Sequence, residues 1–462
     1  MQPQSDDHRD GVPLPQRYWA ILTIALGVTM AVLDGAIANV ALPAIARDLD
    51  ASPASSIWVV NAYQLSITVS LLAFAALGDI VGYRRIYQAG LVVFTVTSGL
   101  CALSDSLATL TCARVLQGLG AAGVMSVNTA LIRTIYPKAF LGRGLAINSF
   151  LVAFSSAAGP TIASAILSLA SWQWLFAVNL PIGLVASFIA LRALPDNTHR
   201  ARVRFDMPSA LLNAATFGLL IFAVDGFGHG QSPLVVGGLL VALLVVGTIF
   251  VRRQLGLAVP LLPIDLLRIP LFGLSICTSI CSFTAQALAL VSLPFFLQGM
   301  LGRSQVETGL LMTPWPLAIM CVAPFAGRLL EKYSPGLLGG LGLAMLSAGL
   351  ALLATLPPSP DNVDIAWRMA LCGAGFGLFQ SPNNFALLSS APPQRSGGAS
   401  GMLGTARLVG QTGGAALVAL LFNWFPANGS HVTLLVAAVA AALASVVSCL
   451  RIANTGVHAI VR

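Results

Sequence analysis

Asp34 is the only acidic residue that lies clearly in the middle of a long apolar stretch of the sequence, residues 33–43 (LDGAIANVALP). A charged side chain at the centre of a bilayer costs roughly 2.5–3.5 kcal/mol on insertion scales, so it needs a partner or a function. Desolvation raises the pKa of a carboxyl group and a nearby cation lowers it, so a changing environment can load and unload a proton. The sequence therefore predicts that Asp34 couples protons. The alternative is a structural aspartate with permanent partners.

Arg114 is the predicted partner of Asp34. It begins the segment 114–122 (RVLQGLGAA), inside another apolar stretch. A buried guanidinium needs an acceptor, and Asp34 is the only obvious acid available to it. The alternative is that Arg114 extends its charged end outward to the membrane surface, because it lies only a short way inside its span.

Composition requires that both residues sit in a membrane. The chain has 462 residues, of which 57% are apolar and only 9% charged, whereas a soluble domain carries about 25% charged residues. A hydrocarbon core of about 30 Å takes roughly 20 helical residues, and lipid offers backbone groups no partners, so the apolar runs must be helices. We expect an all-α polytopic membrane protein with about 14 transmembrane helices.

The distribution of basic residues predicts the orientation of these helices. Most of them fall on one set of alternating loops: Arg9, Arg17, Arg84, Arg85, Arg133, Lys138, Arg143, Arg192, Arg200, Arg202, Arg204, Arg252, Arg253, Arg268, Arg328, Lys332, Arg395, Arg451 and Arg462. By the positive-inside rule this side is cytoplasmic, which places both termini there. The net charge of +8 then reflects topology, and we expect no nucleic-acid partner. The predicted location is the cell (cytoplasmic or inner) membrane, as a multi-pass protein in contact with the lipid bilayer.

Weak internal repetition indicates two similar halves. Residues 75–85 (AALGDIVGYRR) resemble residues 327–335 (GRLLEKYSP). Duplicated helical halves around a midplane site are typical of transporters. The predicted organisation is a tail at 1–17, a six-helix half at 18–193, a linker with inserted helices 7 and 8 at 194–269, a second six-helix half at 270–452 and a tail at 453–462. The inserted pair could fill lipid-facing space or bind a partner protein.

The energy source must be an ion gradient if transport is uphill. A phosphate-binding loop needs Lys followed by Ser or Thr, but Lys138 precedes Ala139 and Lys332 precedes Tyr333. We also find no metal or nucleophile constellation, so we expect neither an enzyme nor a cofactor, and the proton gradient as the drive.

These motifs, in this order, resemble the major facilitator superfamily and, within it, the fourteen-span drug:proton antiporter branch (the QacA/EmrB/SmvA-like group). The matching segments cover nearly the whole chain: 33–43, 58–63 (WVVNAY), 79–85, 114–120, Gly159-Pro160, 171–183 and the glycine-rich region 397–414. The resemblance implies that Asp34 is the proton site and Arg114 its electrostatic partner. It implies that Asp79, Arg84 and Arg85 form a cytoplasmic gating loop that latches the two halves. It also implies that Gly159 and Pro160 form the antiporter motif, which seals the interface between the halves. Ala163-Ser164 replaces the usual Gly-Gly pair that follows, and the residues remain small.

Substrate contacts are predicted from polar or aromatic residues in otherwise apolar spans, because promiscuous sites are mostly apolar with a few polar groups. The candidates are Asn61, Tyr63, Gln64, Asn148, Phe154, Trp315, Gln380, Asn383 and Asn384. Each could equally make a hydrogen bond between helices or face lipid. Asp225 and Glu307 are secondary acidic candidates near helix ends, the alternative being ordinary boundary charges.

The predicted function is proton-coupled export of lipophilic compounds, either cationic or neutral, by alternating access of the two halves. One deep carboxylate suits such cargo better than divalent cations. Two alternatives stay open: export of an endogenous metabolite or peptide, and a transport-inactive membrane receptor or scaffold.

Overall fold

The computed structural model describes residues 11–137, 140–196, 205–228, 231–257, 260–357, 359–392 and 395–459, and within these ranges the secondary structure is entirely helical. The α-helices run as follows: α1 Leu14–Asp48, α2 Pro53–Ser56, α3 Trp58–Val81, α4 Tyr83–Ala102, α5 Leu107–Ile135, α6 Leu141–Leu169, α7 Gln173–Ala177, α8 Asn179–Ala193, α9 Met207–Gly228, α10 Pro233–Gly256, α11 Pro270–Phe295, α12 Gln305–Met312, α13 Pro314–Leu329, α14 Pro335–Ala354, α15 Asn362–Ser390, α16 Ser396–Trp424 and α17 Gly429–Ala459.

Several long helices are divided near one end. The short helices α2, α7 and α12 lead directly into α3, α8 and α13. Pro314 is the first residue of α13, a position where the missing backbone donor costs nothing. The sequence predicted each of these pairs as one span. Taken together, the two helices of each pair are long and apolar enough to cross a membrane.

Twelve segments of the described chain are long and apolar enough to cross a membrane. Two helices of the fourteen predicted do not meet that standard, α4 and α15. The first begins with Tyr83-Arg-Arg85, and α15 carries Asp364 and Arg368 in its early turns. Both nevertheless pack inside the bundle, α4 against α5 and α8, and α15 against α13 and α14.

The helices form two packed groups. In the first, α1 packs against α6 and α8, while α5 packs against α3 and α4. In the second, α11 packs against α16 and α17, and α14 against α15 and α17. Between them, α9 contacts both α3 and α16, and α10 packs mainly on α9. The boundaries differ from prediction at both ends, because α1 already begins at Leu14 and α17 continues to Ala459.

The two groups meet closely where the end of α6 contacts the start of α12. A Cβ added to Gly309 would lie 1.6 Å from Ser164 Oγ and 2.4 Å from the Pro160 carbonyl oxygen. One turn away, the hydroxyl oxygens of Thr161 and Thr313 are 2.7 Å apart. This contact, the α6–α12 seal, lies at the end of the bundle opposite the loop that joins α3 to α4.

The basic residues used for orientation are only partly described. Arg9, Lys138, Arg200, Arg202, Arg204 and Arg462 lie outside the described residues. Arg451, counted among the basic residues of the cytoplasmic side, is 1% exposed. Since α17 continues beyond it to Ala459, its side chain meets neighbouring helices.

Candidate functional site

Asp34 and Arg114 form an ion pair inside the first group of helices. Arg114 Nη1 donates a hydrogen bond to Asp34 Oδ2. Asp34 lies in α1 and is 3% exposed, and Arg114 lies in α5 and is fully buried. The Nε of Arg114 donates to the Val59 carbonyl oxygen at 2.9 Å, which fixes the guanidinium between three helices. The predicted pairing is therefore present, and Arg114 does not extend to the surface.

Two amide side chains complete the coordination of the carboxylate. Gln117 Nε2 donates to Asp34 Oδ1 at 3.0 Å, and Asn179 Nδ2 donates to the same oxygen at 3.1 Å. Gln117 also receives a bond from Arg114 Nη1 at 2.6 Å and donates to Ser98 Oγ at 2.9 Å. Sequence reasoning did not identify these partners. The available signal was their type, since both are buried amides inside or beside the quoted motifs.

Aromatic rings enclose the guanidinium. The Arg114 Cζ atom lies 4.1 Å from the centre of the Tyr63 ring and 5.4 Å from that of Phe176. A desolvated cation over an aromatic face gains about 2 kcal/mol or more. The Tyr63 hydroxyl donates to the Ala31 carbonyl oxygen at 2.8 Å, so this candidate substrate residue serves as a wall of the ion-pair site.

One donor of the site is left over. Arg114 Nη2 is buried with no hydrogen-bond partner. The carboxylate of Asp34 is thus well supplied with donors, whereas the guanidinium has a spare one. Besides Asp34, the Val59 carbonyl oxygen and Gln117 accept hydrogen bonds from Arg114, and the Tyr63 ring covers its guanidinium.

The other predicted substrate residues occupy varied surroundings. Asn148 Oδ1 accepts from Asn128, and Asn383 donates to Ser279 Oγ at 2.7 Å, so both make hydrogen bonds between helices. Trp315 is 1% exposed, its backbone is closely approached by Gly373, and its indole Nε1 is buried without a hydrogen-bond partner. Phe154 is exposed and stacks on Phe150, and Gln380 and Asn384 are half-buried.

Asn61 and Gln64 share with Trp315 buried polar atoms that have no hydrogen-bond partner. Both lie on α3. The two polar atoms of the Asn61 amide, and Oε1 of Gln64, are buried without a hydrogen-bond partner. Buried amides are normally satisfied, so these two positions have unused capacity for a ligand or water.

The gating-loop residues make their contacts within the first group of helices. Asp79 accepts a hydrogen bond from the Tyr83 hydroxyl at 2.6 Å. Arg84 pairs with Asp196 at 3.4 Å and also donates to the Leu191 carbonyl oxygen. Arg85 is exposed. The described contacts of Asp79 and Arg84 therefore stay within the first group of helices.

Of the two antiporter-motif residues, Pro160 lies at the α6–α12 seal and Gly159 packs against α1. A Cβ on Gly159 would lie 2.5 Å from the Cβ of Ala36 in α1, and the Pro160 carbonyl faces Gly309. Gly159 therefore permits close packing within the first group, while Pro160 stands at the junction with the second.

Asp225 and Glu307 are engaged in local structure. Asp225 accepts from the Trp58 indole at 2.9 Å, and Trp58 stacks on Phe222, which fixes α9 to the start of α3. Glu307 accepts from the backbone N–H of Ser304 at 2.9 Å and completes a capping box for α12. These geometries favour boundary roles for both acids.

A second buried arginine network lies in the other group of helices and was missed from the sequence. Arg451 donates to Asn383 Oδ1 at 2.6 Å and to Ser275 Oγ at 3.1 Å, and it also bonds Ser448. Its position near the end of a predicted span gave no sign of burial, because its partners come from distant segments.

Comparison with known proteins gives one family. Residues 24–415 match the model of the Major Facilitator Superfamily. The chain is 66% identical to "Uncharacterized transporter YebQ" of Escherichia coli (strain K12), over 96% of this chain and 97% of that one. It is 29% identical to "Riboflavin transporter RibZ" of Clostridioides difficile, over 88% and 89% of the two chains. It is 31% identical to "Multidrug resistance protein Stp" of Mycobacterium tuberculosis, over 88% and 76%.

Proposed function

Since this chain belongs to the major facilitator superfamily, we propose that it is a proton-coupled antiporter that exports lipophilic compounds by alternating access. The observation that carries the proposal is the buried Asp34–Arg114 pair with its two amide partners. The name of the relative Stp, a multidrug resistance protein, supports the cargo class.

Protonation of Asp34 changes its ability to accept hydrogen bonds from Arg114. A proton on its carboxylate cancels the charge and removes the acceptor for Arg114. Separating a buried ion pair leaves an uncompensated charge, which costs about 3–5 kcal/mol unless other groups take it up. Val59 and Gln117 already accept from Arg114, so the guanidinium keeps these acceptors when Asp34 is protonated. Protonation and helix rearrangement are coupled in this way, and the gradient biases the cycle.

We extend the twelve apolar segments to fourteen transmembrane helices by including α4 and α15. Each is at least as long as the 20 residues of α4, enough for roughly 30 Å of hydrocarbon. Polar side chains on α15 are used inside the bundle, as Asn383 illustrates. An even count places both termini on one side, and the arginines at the α3–α4 and α5–α6 ends make that side cytoplasmic. The proposed location is the inner membrane.

Alternation moves the contact between the halves from one end of the bundle to the other. With the α6–α12 seal formed, the loop of Asp79, Arg84 and Arg85 is free of the second half. In the opposite state this loop latches the halves and the seal opens. In α6, Pro160 and Ser164 form the seal against Gly309, and Gly159 allows α6 to pack closely on α1 beside it.

Export of an endogenous metabolite is the second candidate. The relative named a riboflavin transporter favours it, since that chain shares 29% identity over most of its length. Both candidates need the same proton site, so the cargo alone separates them.

The test is gradient-driven uptake by inside-out vesicles or proteoliposomes, with a panel of dyes, drugs and metabolites. Wild-type protein should accumulate cargo when a proton gradient is imposed, and Asp34→Asn should lose accumulation while cargo exchange without a gradient remains. Asp225→Asn is the matched control, because this acid docks α9 and should leave uptake near the wild-type level. Undiminished uptake by Asp34→Asn would remove Asp34 from the mechanism. The absence of any proton movement in wild-type liposomes would favour a transport-inactive receptor or scaffold.

A further inference from the structure

Asn179 differs from the other partners of Asp34 in having an acceptor atom that is not in use. It is the first residue of α8, which packs on α1, and it is 3% exposed. Its Nδ2 donates to Asp34 Oδ1 at 3.1 Å. Among the described contacts, no hydrogen bond engages the carbonyl oxygen of this amide. Asn179 therefore meets Asp34 with a donor and holds an acceptor in reserve.

The other two partners of Asp34 are committed as donors. Arg114 has no acceptor atom. Gln117 has one, but its Oε1 already accepts from Arg114 Nη1 at 2.6 Å and from the Cys101 thiol at 3.4 Å. Its Nε2 also donates to Ser98 Oγ at 2.9 Å. Turning the Gln117 amide around would break all of these bonds, so Gln117 keeps its donor toward Asp34.

A protonated Asp34 needs an acceptor that the carboxylate does not need. A carboxylate only accepts hydrogen bonds, whereas a carboxylic acid also has one O–H group to donate. A buried donor left without a partner is unfavourable. The nearby hydroxyl of Tyr63 and thiol of Cys101 donate to the Ala31 carbonyl oxygen and to Gln117, and neither has a described hydrogen bond to Asp34. Of the side chains bonded to Asp34, Asn179 is the one that can accept its proton.

We propose that Asn179 is a positioning residue that donates to Asp34 when the carboxylate is charged and accepts from it when the proton is bound. A half-turn of the amide about its Cβ–Cγ bond exchanges the nitrogen and the oxygen within nearly the same outline. The exchange therefore needs no movement of α8. This inference rests on the proposed proton coupling at Asp34.

The two states differ at named atoms. In the charged state, Asn179 Nδ2 donates to Asp34 Oδ1. The incoming proton forms an O–H bond on Asp34 Oδ1, and this hydroxyl donates to the carbonyl oxygen of the turned Asn179 amide. The same hydroxyl oxygen still accepts from Gln117, and Asp34 Oδ2 becomes an uncharged carbonyl oxygen, so Arg114 loses its charged acceptor. Asp34 thus has hydrogen-bond partners both before and after it takes the proton.

The test is infrared difference spectroscopy of the full chain in lipid, recorded between alkaline and acidic pH. A C=O stretching band of a protonated carboxyl group that is absent in Asp34→Asn belongs to Asp34. Asn179→Leu keeps a branched side chain but can neither donate nor accept, so this band should move to higher frequency. Asn128→Leu is the matched control. It removes another amide of the first group of helices, one that bonds Asn148, and should leave the band in place.

Wild-type protein gives a second measurement, which does not depend on how Asn179→Leu folds. With carbon-13 in the side-chain carbonyl of asparagine, the difference spectrum should contain an asparagine carbonyl band, because the Asn179 oxygen gains a hydrogen bond when Asp34 is protonated. This band should be missing in Asp34→Asn. An Asp34 band that stays in place in Asn179→Leu, or the lack of an asparagine band in wild type, would overturn the proposal.

Uptake separates this inference from the export function. Asn179→Leu should lower gradient-driven uptake about tenfold, because a hydrogen bond to a charged group is lost, and should leave cargo exchange without a gradient near the wild-type level. Equal loss of both activities would assign Asn179 a structural role instead. The expected spectral changes in a protein without gradient-driven uptake would leave the role of Asn179 standing and the export function wrong. Uptake that depends on Asp34 without either spectral change would do the reverse.

Discussion

Asp34 and Arg114 illustrate what can be inferred from single residues. In a chain with so few charges, an acid and an arginine that both lie in mid-span are expected to form an ion pair. The structure places the two side chains in direct contact. The amide partners Gln117 and Asn179 were harder to predict, because an amide side chain in an apolar span can form hydrogen bonds with any nearby backbone group. Whether an amide reaches a given carboxylate depends on how each helix is rotated about its own axis. No pattern in a single sequence indicates that rotation.

The Arg114 side chain provides a stability prediction. Arg114→Met leaves the buried Asp34 carboxylate without its counter-charge and should destabilise the protein by about 3–5 kcal/mol. Adding Asp34→Asn removes the orphaned charge, so the double variant should be more stable than Arg114→Met alone while remaining inactive in uptake. Thermal unfolding in detergent, with uptake assayed in parallel, measures both effects. Equal stability of the single and double variants would mean that the pair is not electrostatically coupled.

At the scale of elements, hydropathy located the strongly apolar helices and was weakest for α4 and α15. Those two helices direct polar and charged residues at neighbouring helices, as Arg84 does toward Leu191 and Asp196. Average hydropathy cannot separate such a helix from an amphipathic surface helix. The division of spans into pairs such as α12 and α13 was equally hidden, because both members are apolar.

Gly309 in α12 is predicted to be essential to the α6–α12 seal. Gly309→Val has no room beside Ser164 and Pro160, so it should hold the seal apart and reduce gradient-driven uptake severalfold. Gly327→Val in α13 is the control, because a Cβ there meets no atom within 4 Å. Labelling of a cysteine placed near the seal should rise in Gly309→Val only. Unchanged labelling and uptake would show that the contact is not needed for the cycle.

A polar cluster joins the inserted helices α9 and α10 at one end, and its contribution to stability is expected to depend on pH. Burial raises the pKa of Asp206, but hydrogen bonds from Ser209 and Arg253 outweigh it and hold the pKa below the ordinary value of 3.8. Arg253 Nη2 lies 2.8 Å from Asp206 Oδ1. A lowered carboxyl pKa stabilises the folded state above the unfolded pKa, and this contribution disappears as pH falls through the folded value.

Asp206→Asn should therefore lower the thermal stability of the protein at neutral pH. The difference from wild type should shrink as the pH falls below 3.8, since the wild-type carboxylate is then protonated as well. Unfolding scans of the two proteins between pH 7 and acid measure it. A difference that stays constant over this range would attribute the effect to packing instead of charge.

At the scale of the molecule, the repeated segments indicated two helical halves, and family membership fixes the fold to which they belong. What no repeat could predict is the asymmetry of their polar interiors. The first half has an acid–arginine pair, whereas the second has Arg451 bonded to neutral side chains and Arg407 with no described partner.

Alternation of the two halves is tested by joining them. Thr161 and Thr313 have hydroxyl oxygens 2.7 Å apart, so Thr161→Cys/Thr313→Cys should form a disulfide under mild oxidation and stop uptake. Reduction should restore it, and each single variant should remain active under the same oxidant, which controls for the seven native cysteines. Full activity of the cross-linked protein would contradict movement at this seal.

The position of α9 over the boundary between α3 and α16 has a consequence for how cargo arrives. The inserted pair α9 and α10 covers one of the two boundaries between the groups of helices, and α6 contacts α12 and α13 at the other. If the chain exports membrane-soluble compounds as proposed, cargo that enters from the lipid should arrive at the boundary of α6 and α13. Lateral diffusion to that one flank would then set the rate of entry.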